Sequence, residues 1–210
     1  MISEKTAENF EKYMKNYPEL YKELAEVVRS VCKIPKPIIV DLGCGPGLLS
    51  KEIVGIIFDS QIIGIDPNKK MIELAKNNVN SKRFKAIEGS SEKIPLDSKS
   101  VDILVSRFSL PYWSDPQKSF SEIFRVLKTD GIIILEALNK EFPKWKLFFI
   151  KLHMIVKSAQ ADVIRYHIDA YKKAFSIEQV QTFLKHEGFA IDNVIGNKKE
   201  WKFIVIASKL

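Results

Sequence analysis

Residues 38–49 read Ile-Ile-Val-Asp-Leu-Gly-Cys-Gly-Pro-Gly-Leu-Leu. The β-branched and apolar run at the start predicts a strand that is buried on both faces. Gly43, Gly45 and Gly47 follow within five positions, and a helical pattern begins at Leu48. Glycine lets the backbone turn sharply and approach a ligand closely, and the first turn of a helix favours negative groups. The segment therefore predicts a site for a nucleotide-like cofactor with a negative group near the turn; the alternative is a tight turn without a ligand.

The composition is that of an ordinary globular domain. The 210 residues are 46% hydrophobic and 28% charged, which fits one domain with a single core and one sizeable insertion. No apolar run reaches transmembrane length, and the chain is polar and charged from Ser3 onward, so we expect a cytoplasmic protein. Cys32 and Cys44 fit no metal spacing, and we expect no metal site.

Strand and helix patterns alternate along most of the chain. Strands are predicted at residues 38–42, 61–66, 84–88, 101–106, 132–135, 190–195 and 202–207, with a turn at 129–131 and the last two strands paired antiparallel. The intervening segments have helical periodicity. Alternation of this kind predicts an α/β fold: a Rossmann-like, doubly wound and mostly parallel seven-stranded sheet with an antiparallel C-terminal strand. A ligand should then lie at the carboxyl ends of the strands, where the strand order reverses.

We expect one domain over residues 1–210, divided into four segments. The predicted segments are N-terminal helices at 1–35, a cofactor-binding core at 36–138, a helical cap insertion at 139–175, and a helix with a β pair at 176–210. The last segment begins with a capping-box signature, Ser176 followed by Gln179. The cap insertion is expected to bind the substrate.

Asp66 is the second position that indicates a cofactor. It ends the second strand, 23 residues after Gly43, where an acidic residue in glycine-loop folds accepts hydrogen bonds from ribose hydroxyls. The glycine spacing is G-x-G-x-G, one residue shorter than in dinucleotide binders, and Pro46 offers no N–H to a phosphate. A smaller anionic group, such as an amino-acid carboxylate, fits this loop better.

Four segments in order resemble the motifs of class I S-adenosylmethionine-dependent methyltransferases, in the small-molecule group called type 11. They are Val-Asp-Leu-Gly-Cys-Gly-Pro-Gly at 40–47, Ile-Asp-Pro-Asn at 65–68 with Met71, Glu-Gly-Ser-Ser-Glu-Lys-Ile-Pro-Leu at 88–96, and Val-Asp-Ile-Leu-Val-Ser-Arg-Phe-Ser-Leu at 101–110. The resemblance covers residues 36–140. It implies S-adenosylmethionine as the cofactor.

The resemblance also implies roles for individual residues. Residues expected to meet the methionine moiety are Asp41, near the amino group, and the loop residues Gly43, Cys44, Gly45 and Gly47. Residues expected at the nucleoside are Asp66 and Pro67 at the ribose, Met71 on the adenine face, and Ser90 and Ser91 at the adenine edge. Residues expected to line the cleft below the sulfonium are Ser106, Arg107 and Phe108. The family usually has Asp at the position of Ser90, and a neutral hydroxyl makes a weaker bond to the adenine amino group.

The cap insertion is basic and apolar. Residues 140–173 carry eight basic and three acidic side chains. Trp145, Phe149, Leu152 and Val156 form one helical stripe, and Leu147, Ile150 and Met154 form a second. Docking on the core explains one stripe. The other needs a substrate, a second subunit or a lipid surface, unless another cap helix covers it.

Candidate catalytic groups are few. His167, with Tyr166 beside it, is the best candidate for a base or a substrate contact, and Tyr13, Tyr17 and Tyr21 could close over the methionine end. A base is needed only if the methyl acceptor is protonated at the working pH.

We therefore predict a methyltransferase acting on a small molecule by in-line displacement, with an anionic or lipid-like acceptor fitting the insertion best. The alternatives are an RNA methyltransferase, suggested by the net charge of +7, and a non-catalytic S-adenosylmethionine-binding protein, suggested by Ser90. Nucleic acid is not the expected partner, and we expect a monomer or homodimer.

Overall fold

The computed structural model describes residues 2–157 and 160–210, so residues 158 and 159 of the predicted cap lie outside the described residues. The helices are α1 (Glu4–Met14), α2 (Pro18–Val31), α3 (Leu48–Ile56), α4 (Lys69–Asn78), α5 (Pro116–Val126), α6 (Lys144–Val156), α7 (Ala161–Lys172) and α8 (Ile177–His186). The strands are β1 (Ile38–Leu42), β2 (Gln61–Asp66), β3 (Phe84–Glu88), β4 (Val101–Arg107), β5 (Leu127–Leu138), β6 (Phe189–Ile195) and β7 (Lys202–Lys209).

The seven strands form one sheet in the order β3-β2-β1-β4-β5-β7-β6. Strand β7 pairs antiparallel with both β5 and β6, and the pairs from β3 to β5 are parallel. The predicted Rossmann-like fold with an antiparallel C-terminal strand is confirmed. The order reverses between β1 and β4, so the chain leaves these neighbouring strands in opposite directions and opens a crevice at their carboxyl ends.

Both faces of the sheet are covered, as the apolar run of β1 predicts. Alternate residues of a strand point to opposite faces, so Ile39 and Ile103 pack in the cluster that contains α2, α3 and α4. Val40 and Leu104 pack in the cluster on the other face, with α5 and α8. A strand buried on both sides holds its carboxyl end rigidly, and the residues that follow it are positioned accordingly.

The turn predicted at residues 129–131 is wrong. Strand β5 already begins at Leu127, which pairs with Val101, and the register then shifts so that Ile103 pairs with Ile132. Asp130 adopts a left-handed φ of 61°. The turn-forming residues are accommodated as an irregularity inside the strand, because the flanking residues continue to pair with β4.

Helix α6 buries only one of its two apolar stripes. Met154 is buried, and Leu147 and Ile150 are partly buried, whereas Trp145 and Phe149 are exposed. The alternative that another cap helix covers the stripe left over from docking on the core is therefore wrong for the part of the chain that the structure describes. No helix in residues 2–157 or 160–210 is long and apolar enough to cross a membrane.

Candidate active site

A cavity of about 1620 Å³ opens at the carboxyl ends of β1, β2 and β4. Its floor is made by the loop after β1, by Asp66 and by the segment from Arg107 to Ser109. Its walls come from α1, α2, α6 and α7. The cavity lies where the reversal of strand order predicts a ligand, and residues of α6 and α7 help to line it.

The three positions of the loop require glycine for different structural reasons. All three have a left-handed φ, at 74°, 52° and 75° for Gly43, Gly45 and Gly47. A Cβ on Gly43 would lie 2.5 Å from the Cβ of Ser109, and one on Gly47 would lie 3.0 Å from the Cα of Ala75. A Cβ on Gly45 would meet nothing closer than 4.0 Å. Gly43 and Gly47 are therefore required by packing, whereas the open side of Gly45 faces the cavity.

Backbone N–H groups of the loop are used within the protein. Gly43 and Cys44 donate to the carbonyl of Ile65 at 2.7 and 3.0 Å, and Gly45 donates to Oδ2 of Asp66 at 3.0 Å. Gly47 donates to the Cys44 carbonyl at 3.0 Å. The loop is thus rigidly held, but these four donors are already engaged and do not form the anion cradle that the glycine pattern favours.

Asp66 holds the loop and faces the cavity. Besides the bond from Gly45, its Oδ1 accepts from the backbone N–H of Asn68 at 2.9 Å. Burial raises the pKa of its carboxyl, and the two backbone donors act in the opposite direction. A carboxylate has about four lone-pair sites, so capacity remains for hydroxyl donors from a ligand.

Asp41 lies deeper, at the end of β1. It is 1% exposed, and its Oδ2 accepts from the Ser50 hydroxyl at 2.7 Å. Burial raises the pKa of its carboxyl to about 6, the Ser50 bond opposes this, and the charge of Asp66 adds to it. Because the Asp41 carboxylate is buried, its ionised form is less favourable in free energy than in water. A cation in the cavity would stabilise that ionised form.

Met71, Pro67 and Ser90 also line the cavity. Ser91 also contributes, although its Oγ already accepts from the Ser119 hydroxyl at 2.9 Å. Sequence reasoning missed Glu92, which lines the cavity too. The signal was its place two residues after Ser90 within the third motif.

The carboxyl group of Glu92 is fixed by several donors. Its Oε1 accepts from the backbone N–H of Ser114 at 2.6 Å, and the Ser90 hydroxyl also donates to it. The pKa of Glu92 is lowered: burial acts upward, and the backbone and Ser90 donors outweigh it. A negative charge therefore stands beside Ser90, at the position where the family usually has Asp.

Two predicted site residues do not line the cavity. Gly47 packs against α4, as described above, and Ser106 is fully buried, with its hydroxyl donating to the Leu42 carbonyl at 2.7 Å. Ser106 therefore joins β4 to β1 and acts on the site only through the strand that carries the loop.

Arg107 is the cation in the floor of the cavity. Its Nε lies 2.8 Å from Oε2 of Glu136, which faces it on β5 and also lies 2.7 Å from Nζ of Lys202. The guanidinium carbon lies 4.5 Å from the ring centre of Tyr21 and 4.2 Å from that of Phe108. Nη2 is buried and has no hydrogen-bond partner among the described residues. Lys202 is also paired with Glu23 at 3.2 Å, so two cations and two carboxylates balance in this cluster.

His167 and Tyr166 face the cavity from α7. Nδ1 of His167 donates to the Val163 carbonyl at 2.9 Å, which leaves Nε2 as the acceptor of a neutral ring. The pKa of His167 is lowered, first by burial and then by Arg107, so the ring is neutral at pH 7. Tyr166 stacks on Tyr112 at 4.6 Å between ring centres, and burial raises the pKa of Tyr166 to about 12. His167 can accept a proton, whereas Tyr166 only lines the cavity.

The mouth of the cavity is basic. Five lysines line it: Lys140, Lys144, Lys151, Lys172 and Lys173. Lys172 is paired with Asp169 at 3.0 Å. The cavity is also lined by three tyrosines of the N-terminal segment, Tyr13, Tyr17 and Tyr21. Among the described residues no group of three His, Cys, Asp or Glu side chains could hold a metal ion.

The family model described as a methyltransferase domain matches residues 40–135. Among curated proteins, the chain is 30% identical over 171 residues to the demethylmenaquinone methyltransferase of Lactobacillus johnsonii, covering 76% of this chain and 69% of that protein. It is 29% identical over 155 residues to a candidate methyltransferase of Invertebrate iridescent virus 6. That match covers 68% of this chain but only 57% of the viral protein.

Among solved structures, the chain is similar to a protein of Methanococcus maripaludis that is described as a candidate S-adenosylmethionine-dependent methyltransferase. The TM-score is 0.78 at 28% identity, with 99% of this chain and 93% of that one covered. Similarity in both sequence and fold therefore extends beyond the motif-bearing core into the cap.

Proposed function

Since the chain belongs to the class I S-adenosylmethionine-dependent methyltransferases of type 11, we propose that it transfers a methyl group to an anionic small molecule with an apolar portion. The observation that carries the acceptor class is the combination of Arg107 in the cavity floor, with a side chain only 7% exposed, and five lysines at the mouth. The proposal assigns residues 139–175 as the substrate cap.

The residues fit the cofactor that the family uses. The cavity is large enough for the cofactor together with an acceptor, since single-ligand sites are about 300–1,000 Å³. Gly45 leaves the backbone open on the cavity side, Asp41 offers a carboxylate to an ammonium group, and Asp66 has lone pairs left for ribose hydroxyls. Met71 and Pro67 provide apolar contact for the adenine.

Glu92 compensates for the aspartate that the family usually has at the position of Ser90. The adenine amino group needs an acceptor, and we propose that the Ser90 oxygen and the neighbouring Glu92 carboxylate share this role. The Ser90 hydroxyl is oriented by donating to Glu92, so its lone pairs point elsewhere. With Glu92 sharing this role, Ser90 no longer favours the alternative of a non-catalytic protein.

Methyl transfer requires mainly that the acceptor is aligned with the methyl group and that water is excluded from the site. The cofactor supplies a methyl group that is already activated by the sulfonium. Five tyrosines that line the cavity help to exclude water from it: Tyr13, Tyr17, Tyr21, Tyr112 and Tyr166. Nε2 of His167 accepts a proton where the acceptor brings one. Arg107, which lines the floor of the cavity, orients the acceptor through its anionic group.

The test is transfer of a tritiated methyl group from S-adenosylmethionine to a small-molecule extract, followed by partition into organic solvent and anion exchange. We expect label in an anionic product that the wild type forms and Asp66→Ala does not. His167→Gln should lower the turnover roughly a hundredfold while the affinity for S-adenosylhomocysteine stays unchanged.

Other outcomes separate the alternatives. Label in acid-precipitated RNA would support the RNA methyltransferase. Calorimetric binding of S-adenosylhomocysteine without any labelled product would support the non-catalytic protein. Absence of binding would overturn the proposal itself.

A further inference from the structure

Helix α6 carries a continuous exposed apolar face. Its members are Trp145, Phe148, Phe149, Leu152, Ile155 and Val156, which are between 46% and 71% exposed. At about 100° per residue these six side chains fall within an arc of roughly 120°. The rings of Trp145 and Phe148 each stand edge-on to the ring of Phe149, with ring centres 6.2 and 5.7 Å apart. Scattered single apolar side chains are normal on a surface, but a contiguous aromatic face indicates a partner.

Lysines border this face on both sides. On the helix surface Lys144 and Lys151 lie along one edge, and Lys146 and Lys157 lie along the other. Residues 142–161 contain no acidic side chain. A helix that lies in a membrane interface has this pattern, because the apolar face enters the acyl boundary while flanking lysines extend to anionic headgroups.

The length of the helix fixes the mode of binding. Thirteen residues make a helix about 20 Å long, which is shorter than the hydrocarbon core of about 30 Å. The opposite side of α6 is engaged, since Met154 is buried in the core cluster with Ile150 packed against it. The helix therefore presents one face outward and stays attached to the domain by the other.

We propose that the exposed face of α6 docks on an anionic lipid surface, lying in the plane of the membrane interface. Lys144, Phe148 and Lys151 line the mouth of the cavity as well as this face. Docking therefore brings the cavity mouth to the lipid surface, where an amphiphilic anion is concentrated. The lipid docking itself goes beyond the proposed function and does not depend on the cofactor or on turnover.

A second copy of the chain fits the face less well. Two α6 helices packed face to face would bring eight lysines together without a carboxylate from either helix. Like charges at a low-dielectric contact oppose association, whereas anionic headgroups neutralise the same lysines.

The proposal is tested by sedimentation with vesicles of phosphatidylcholine alone and of phosphatidylcholine with phosphatidylglycerol, without cofactor. We expect the wild type to sediment with the anionic vesicles, and added salt to weaken the binding. The double variant Trp145→Ser, Phe149→Ser should lose binding at least about tenfold, because neither side chain lines the cavity and both enter the interface. The matched control is Phe58→Ser, since Phe58 is 76% exposed elsewhere and should bind as the wild type does.

Two further experiments test the role of the lysines and the position of Trp145 in the lipid. Lys146→Glu should weaken binding to the anionic vesicles, and the exposed Lys82→Glu should not. Brominated lipid should quench the tryptophan fluorescence of the wild type, and Trp145→Phe should remove that quenching.

Three results would overturn the proposal: no sedimentation with the anionic vesicles, equal binding to both kinds of vesicle, or a dimer in solution that the double variant abolishes. Failure of methyl transfer leaves these readings unchanged, so the two proposals fail separately. A circular-dichroism spectrum and a Tm equal to those of the wild type show that the double variant is folded.

Discussion

Gly45 differs from the other two glycines of the loop because its missing side chain faces the cavity. We predict that Gly45→Ala raises the dissociation constant for S-adenosylhomocysteine at least about tenfold. A methyl group there occupies cofactor space, and a left-handed φ of 52° adds about 1 kcal/mol of strain. Isothermal calorimetry measures the effect.

The matched control for that variant is Gly55→Ala. Gly55 lies in α3, and a Cβ there would meet nothing within 4 Å. This variant should bind with wild-type affinity and gain roughly 0.5–1 kcal/mol in the free energy of unfolding. Equal affinities for the two alanine variants would contradict the role given to Gly45.

Asp41 makes the affinity for the cofactor depend on pH. Burial raises the pKa of Asp41 to about 6 in the free protein, and an ammonium group binds only the ionised carboxylate. Binding must therefore release the proton that Asp41 holds below that pKa. We predict that affinity is constant above about pH 7 and falls toward tenfold per unit below about pH 6.

Calorimetry in buffers of different ionisation enthalpy measures that proton release directly. Asp41→Asn should bind weakly at every pH and show no such slope. A wild-type affinity that stays flat from pH 7 to pH 5 would exclude Asp41 from contact with the amino group.

At the scale of the elements, the sequence predicts best where local pattern and burial agree. Residues 61–66 and 84–88 are predicted as the strands that the structure contains, because short segments with isoleucine or aromatic residues between turn residues have few alternatives. The predicted turn at 129–131 is wrong because pairing with β4 outweighs local turn chemistry. The two-sided pattern of α6 predicts that something covers each stripe, but only the structure distinguishes the covered stripe from the exposed one.

A contact between elements also stabilises the end of α5. Lys209 of β7 is buried, and its Nζ donates to the carbonyls of Phe124 and Leu127, the latter at 2.8 Å. These carbonyls lie at the helix end, where the helix itself provides no donor. We predict that Lys209→Met lowers the free energy of unfolding by about 1.5–3 kcal/mol, because a charged donor is lost and buried acceptors stay unpaired.

Urea denaturation followed by circular dichroism measures this loss. Lys199→Met serves as the control, since Lys199 is exposed between β6 and β7, and it should change the midpoint little. Equal midpoints for both variants would mean that water satisfies the carbonyls as well as Lys209 does.

At the scale of the whole molecule, the site could be predicted only in part. Asp66 and Met71 line the cavity because their places follow from motifs that are local in sequence. The pair of Arg107 and Glu136 depends on the register between β4 and β5, which no local pattern encodes. The position of His167 likewise depends on how α7 folds back over α1, where Phe10 stacks on its ring at 5.7 Å between centres.

Because the cavity is walled by segments from α1 to α7, a ligand in it should stabilise the entire fold. At about 100 times its dissociation constant, a ligand that binds only the native state adds about 2.7 kcal/mol. For a chain of this size that corresponds to a rise in Tm of roughly 5–10 °C. We predict this rise with S-adenosylhomocysteine, measured by differential scanning calorimetry.

Asp66→Ala should melt lower without ligand, because the N–H groups of Gly45 and Asn68 lose their acceptor, and it should show no ligand-dependent rise. An equal rise in the variant would mean that the ligand binds without Asp66 and that the carboxylate serves only to hold the loop.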